Sequence, residues 1–201
     1  MSPRVDLRLI ASWIPAGSSV LDLGCGQGTL LKDLAVRKNC RIQGVEVDPE
    51  SLLQATWNGV PVIQADIDVE LGRFQDSTYD VVILSKTLQA VRHPATVLRH
   101  MLRIAPRGII SMPNFAYWRN RVKLAFGRAP VSKDLPYAWH DSPNVHFGSC
   151  LDLEALFSDL GLQIQRSVAM TPSGGILRAP YATRNWSAGA TLYELTNPDN
   201  A

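Results

Sequence analysis

Three glycines spaced two apart, Gly24, Gly26 and Gly28, join an apolar run to a helical pattern in the stretch VLDLGCGQGTLLKDL, residues 20–34. Such a turn does its chemistry through the backbone. Glycine lets a ligand approach the main chain and accepts left-handed φ, while the N–H groups that open a helix point outward with the positive end of its dipole. The ligand that suits it carries hydrogen-bond acceptors or negative charge. Asp22 stands two residues ahead of the first glycine, and Cys25 and Gln27 fill the gaps between the three. Glu46, adjoined by Val47, follows 22 residues after Gly24, where α/β nucleotide binders place a carboxylate that accepts from ribose hydroxyls. Together these residues suit an adenosyl ligand; the plain alternative for Glu46 is a solvated carboxylate at a strand end.

The elements that must hold these residues can be read from periodicity. Val20, Leu21 and Leu23 form a strand, and Leu30, Leu31, Leu34 and Ala35 form the apolar face of the helix after the turn. Before them, Val5, Leu9 and Trp13 recur at helical spacing up to a stop at Pro15-Ala16-Gly17, giving a helix that caps the sheet edge or shields the ligand. Arg41 to Val47 is a second strand. Asp48-Pro49 is a cap followed by proline at the first helical position, so a helix runs from Pro49 to Asn58 and ends at Gly59. Val60 to Ala65 is a third strand, Val81 to Ser85 a fourth buried on both faces, and Arg107 to Met112 a fifth, with a helix from Pro94 to Ile104 between the last two. A helix over residues 151–160 and two strands, LQIQRSVAM and ATLYEL, complete the pattern. The loop between those strands, residues 171–189, is rich in proline and glycine and is expected to be mobile or to act as a cover. Successive β-α units imply a parallel, right-handed, doubly wound sheet.

The glycine pattern G-x-G-x-G differs from the dinucleotide fingerprint G-x-G-x-x-G, whose third glycine would fall at Thr29. It resembles motif I of class I S-adenosylmethionine-dependent methyltransferases. That resemblance implies an α/β fold with a doubly wound, mostly parallel seven-stranded sheet of the Rossmann-like type and an antiparallel C-terminal strand pair. It implies S-adenosylmethionine or S-adenosylhomocysteine as cofactor, held by Asp22, Gly24, Cys25, Gly26, Gln27, Gly28, Glu46 and Val47. It also places an acidic residue against the adenine amino group, for which Asp66 beside Ile67 is the candidate and Asp68 the rival. The turn after the fourth strand, opening at Ser85, would face the reacting methyl group. Here it reads SKTLQA, without the N-P-P-Y motif and without histidine or carboxylate, while the similar Pro113-Asn114-Phe115 follows the fifth strand and cannot take that role. No catalytic acid or base is identified.

A chain of 201 residues with 46% apolar residues can bury a core, and its length favours one domain spanning residues 1–201. A formal charge of +2 argues against a general polyanion binder. Three cysteines without C-x-x-C spacing suit a reducing compartment, and with no long apolar run the expected location is cytoplasmic. One stretch stands apart. Phe115 to Phe147 holds seven of the chain's fifteen Phe, Trp and Tyr residues, and Arg119, Arg121, Lys123, Arg128 and Lys133 face only Asp134 and Asp141. Aromatic residues with arginine are what protein-binding surfaces concentrate; a lid over the ligand with its aromatics inward is the alternative, and RNA binding a more remote one. His140 and His146 lack metal-ligand spacing and read as loop or packing residues.

ILSKTLQAVRHP, SMPNFAYWRNRVKL and APVSKDLPYAWHDSPNVHF, following VLDLGCGQGTLL, resemble the MetW family of methionine-biosynthesis proteins over nearly the whole chain up to about Val168. The resemblance implies an S-adenosylmethionine-type domain that works with a homoserine O-acyltransferase as an accessory or regulatory protein. Trp118, Arg121 and Trp139 are then the candidate anchors for that partner. The alternative is an active small-molecule methyltransferase. A nicotinamide-dependent oxidoreductase is disfavoured by Thr29.

Overall fold

The computed structural model describes residues 5–131 and 137–198, so Lys133 and Asp134 of the aromatic insertion lie outside the described residues. Seven strands, β1 (Ser19–Leu23), β2 (Arg41–Glu46), β3 (Val62–Gln64), β4 (Val81–Ser85), β5 (Arg107–Pro113), β6 (Gln163–Met170) and β7 (Ala190–Thr196), form one sheet in the order β3-β2-β1-β4-β5-β7-β6. β1 to β5 run parallel, and β7 enters antiparallel between β5 and β6. The order reverses between β1 and β4. At such a switch point a crevice opens beyond the carboxyl ends of the strands.

The two faces follow from strand alternation. Leu21 and Leu23 of β1 and Val82 and Leu84 of β4 point to one side, where they meet α4 (Pro94–Ile104) through Val97, Leu98, Met101 and Leu102, and α6 (Cys150–Asp159) through Leu153 and Phe157. Val20, Val81, Ile83 and Ile109 point to the other, against α1 (Val5–Trp13), α2 (Thr29–Lys38) and α3 (Pro49–Trp57). Burial of every residue of β1 is what a central parallel strand requires. The first helix covers the sheet through Ile10, Ala11 and Trp13, joined by Ile14 just after it, and the Lys38 ammonium closes its C-terminus by donating to the Ala11 and Ile14 carbonyls.

Asp48 caps α3 by accepting from the Ser51 N–H at 2.8 Å. Two further helices were not expected. The insertion opens with α5 (Trp118–Ala125), and the segment expected to be a mobile loop or cover contains α7 (Tyr181–Ser187). The second is a correction with a physical cause: α7 buries no residue and is held by polar bonds to distant partners, a mode that leaves no apolar period in the sequence. Among the described residues no helix is long and apolar enough to cross a membrane.

Candidate functional site

All three glycines of the turn have left-handed φ, 72° at Gly24, 55° at Gly26 and 72° at Gly28, but for different reasons. A Cβ on Gly24 would lie 2.7 Å from the Thr87 side chain, and one on Gly28 would lie 2.8 Å from Val60. One on Gly26 would meet no protein atom within 4 Å. Gly24 and Gly28 are therefore demanded by the protein's own packing, whereas Gly26 opens onto free space. The turn is fastened to β2, because the Gly24 and Cys25 N–H groups both donate to the Val45 carbonyl, at 2.8 and 3.0 Å.

Glu46 completes that fastening. One carboxylate oxygen accepts from the Gly26 N–H at 2.8 Å, and the other accepts from the Val47 and Asp48 N–H groups, each at 2.9 Å. The side chain is nearly buried, at 9% exposure, yet it lines a cleft of about 290 Å³. Charge-assisted bonds from backbone N–H are among the stronger ones available, so Glu46 sets the geometry of the turn as well as offering an acceptor to the cleft.

Gly24, Val47, Asp66, Ile67, Asp68, Lys86, Thr87 and Val91 share the cleft walls with it. The two acidic candidates after β3 divide their work. Both oxygens of Asp68 are taken by the Arg92 N–H, and one also by the His93 N–H. Asp66 accepts from the Asp68 N–H through one oxygen and stays exposed. Asp66 thus has the more available carboxylate.

The remaining candidates sit around rather than in the cleft. Asp22 is buried beneath the turn, and Gln27 is exposed, its carbonyl accepting from Asn58. Ser85 faces its hydroxyl to that of Ser111 at 3.1 Å, so Lys86 and Thr87 supply the wall at that point. Lys86 has a φ of 55°, a costly conformation for a residue with a side chain, held by its N–H donating to the Ser111 carbonyl at 2.9 Å. Lys86 and Thr87 are the wall residues that sequence reasoning passed over, because SKTLQA was searched for acids and bases; their place directly after β4 was the available signal. Cys25 lies under the turn, where burial first, then the charges of Asp22 and Glu46, push its thiol up to about 12. At neutral pH it is a protonated filler, and Gly44 exists to make room for it, since a Cβ there would lie 2.5 Å from its sulfur. A larger hollow of about 450 Å³ beside β3 is lined by Ile63, Phe74, Tyr79 and the paired Glu70 and Arg73; it meets neither the glycines nor Glu46.

The anchors named for a partner lie elsewhere on the surface. Trp118 and Arg121 belong to α5, and Trp139 is largely exposed in the later part of the insertion.

Residues 4–195 match the family model described as methionine biosynthesis protein MetW. The chain belongs to the MetW family. Within the reach of that family, it is 40% identical over 175 residues to the bifunctional methionine biosynthesis protein MetXA/MetW of Rhodopirellula baltica, an alignment covering 82% of this chain and 28% of that one. It is 29% identical to a 2-methyl-6-phytyl-1,4-hydroquinone methyltransferase of Synechocystis, covering 68% of this chain and 46% of the other. The MetW chain therefore spans well under two thirds of these curated relatives. Among solved structures it is similar to a putative methyltransferase in complex with the Haloferax volcanii Trm112 activator, with a TM-score of 0.70, 19% identity and coverage of 97% and 90% of the two chains. It is also similar to an S-adenosylmethionine-dependent methyltransferase of Mesorhizobium loti, with a TM-score of 0.68, 14% identity and coverage of 96% and 98%. These likenesses give this MetW chain the class I methyltransferase fold.

Proposed function

We propose that this chain binds S-adenosylmethionine or S-adenosylhomocysteine in the cleft at the end of β1 and β2 and acts as an accessory protein to a homoserine O-acyltransferase in methionine synthesis. The observation that carries the reading is the Rhodopirellula relative, in which a MetW part is joined to a MetXA part in one polypeptide. Fusion keeps two bodies at high effective concentration, and separate chains that work together must replace it with an interface.

The cleft suits the cofactor. Gly26 leaves open space at the turn, Glu46 would accept from ribose hydroxyls with its remaining lone pairs, Val47 and Ile67 would flank the adenine, and Asp66 would accept from its amino group. When bound, S-adenosylmethionine supplies an electrophilic methyl group. The carboxylates around it are engaged by backbone N–H groups, three at Glu46 and two at Asp68, which supports a role in binding over one in proton transfer.

A second reading, methyl transfer to a small molecule, is favoured by the likeness to the hydroquinone methyltransferase and needs little beyond alignment of a reactive nucleophile. The deciding experiment measures acyl transfer to homoserine by the acyltransferase of the same organism, with and without this chain and with and without S-adenosylmethionine. Accessory function predicts a rate that rises with the chain present. An unchanged rate in all four conditions, together with methylation of a cell extract by the chain alone, would replace it with the second reading.

A further inference from the structure

Two short helices are built the wrong way round for a protein that ends at its own surface. Of the eight residues of α5 only Asn120 is buried, and α7 buries none. Helices this short do not form without packing, and the packing face is normally apolar. Here the inward contacts are polar. The Asn114 amide donates to the Asn185 and Ala188 carbonyls, the Asn120 amide to the Asn114 and Phe115 carbonyls, and the Cys150 N–H to the Asn185 side chain. Arg184 donates to the Ser167 hydroxyl, and the Tyr181 hydroxyl to Glu154. The apolar side chains face outward: Trp186 is 52% exposed and Phe126 79%, with Trp118, Val122 and Leu124 also exposed.

The two helices form one face, because the Arg121 guanidinium lies over the Trp186 ring at 5.2 Å while its Nε donates to the Ala116 carbonyl. Arg119 lies over Trp118 in the same way, at 5.3 Å. Between Phe115 and Val131 there are four basic side chains and no acidic one. Aromatic and arginine side chains held rigid in the free protein are what dominate binding energy at protein interfaces.

We infer that the joint face of α5 and α7, centred on the stack of Arg121 on Trp186, is the surface that docks the homoserine O-acyltransferase, through a patch on that enzyme that is apolar at its centre and acidic around it. The inference rests on the accessory reading above. What commits the face to this occupant is that the Rhodopirellula relative joins a MetXA part to the MetW part that this chain matches, so a MetXA body is the neighbour a MetW surface of this kind is built beside. The basic rim makes that association fast at low salt and slower as salt rises.

The test uses the full chain and the acyltransferase of the same organism, with affinity measured by biolayer interferometry for the wild type, Trp186→Ala, Arg121→Glu and, as a control on the remote α3, the exposed Trp57→Ala. Calorimetry of S-adenosylhomocysteine is run on each. The expected result is a loss of at least tenfold in acyltransferase affinity for Trp186→Ala and Arg121→Glu, with the control and all cofactor affinities within twofold of wild type. Hydrogen exchange on the wild-type complex supplies a reading independent of variant folding: amides of residues 118–126 and 181–187 should gain protection. Wild-type binding with neither variant weakened, or protection confined elsewhere, overturns the docking face and leaves the partnership standing. Absence of wild-type binding overturns both. A wild-type dimer in sedimentation that Trp186→Ala abolishes would assign the face to a second copy of the chain and overturn the inference.

Discussion

Replacing Glu46 tests the cleft most directly, because one carboxylate has two separable jobs. In the free protein it accepts from three N–H groups at 2.8 to 2.9 Å, and a hydrogen bond to a charged group contributes about 1.5 to 3 kcal/mol. In Glu46→Ala those donors sit at the rim of an open cleft and can turn to water, so the stability loss should fall well below the sum, at about 1 to 3 kcal/mol. The affinity loss has another origin, since the acceptor for the ribose is gone and the Gly26 N–H is no longer oriented. About 1.5 to 3 kcal/mol is expected, a weakening of about 10- to 150-fold. Glu46→Gln separates the jobs: its oxygen can replace one acceptor, but its amide meets an N–H donor with another donor, so the turn should be disturbed nearly as much as in Ala. Calorimetry with S-adenosylhomocysteine and urea unfolding on the three proteins give both quantities. Unchanged affinity in Glu46→Ala, with the expected loss of stability, would show that Glu46 only builds the turn and that the ligand lies elsewhere.

Gly26→Val should weaken S-adenosylhomocysteine at least tenfold while the protein stays folded, its Cβ entering open space at a left-handed φ, whereas Gly28→Val should unfold the chain by driving into Val60 and Ala55; normal binding by Gly26→Val in calorimetry refutes the site. Cys25 should resist iodoacetamide at pH 8 far more than a free thiol does, with alkylation rising only as pH approaches about 12, and rapid labelling followed by mass spectrometry would contradict its place beneath the turn. Asp80 is held below the usual carboxylate range by bonds from the Ser19 N–H and hydroxyl, so its contribution to stability is complete above about pH 4 and is lost as pH falls through its lower folded value. Urea midpoints should therefore drop more steeply between pH 4 and 2 in the wild type than in Asp80→Asn, and parallel curves would remove Asp80 from the account.

The order of strands and helices was legible because central parallel strands are continuous apolar runs, as in YDVVILS, and because caps such as Asp48-Pro49 announce themselves locally. The third strand came out shorter than residues 60–65, since the Val60 N–H donates to the Ala55 carbonyl and closes the turn that follows α3. The position of Glu46 could be read from spacing; its grip on Gly26 could not, because two residues 20 apart meet only once β1 and β2 have paired. The helix at residues 181–187 left no trace for a similar reason. Its supports, Asn114 and Glu154, are remote in sequence, while Pro172, Gly174, Gly175 and Pro180 nearby read as loop.

The place of β7 between β5 and β6 sets a rule for the order of events during synthesis. Until residues 190–196 have been made, β5 lacks its second neighbour, and the parallel half of the sheet presents an open, apolar edge from Arg107 to Pro113. An exposed edge of that kind invites pairing with another chain. The same late strand brings Gly189 to Asn114, whose N–H donates to its carbonyl at 2.8 Å, so the chain between them, α5, α6, β6 and α7 included, is closed into a circuit at that point. A nascent chain can thus assemble the glycine turn early, from β1, β2 and β4, but it cannot present α5 and α7 side by side until β7 has closed the circuit. Recognition of that face by another protein would then act as a proofreading step, passing only chains whose sheets are complete.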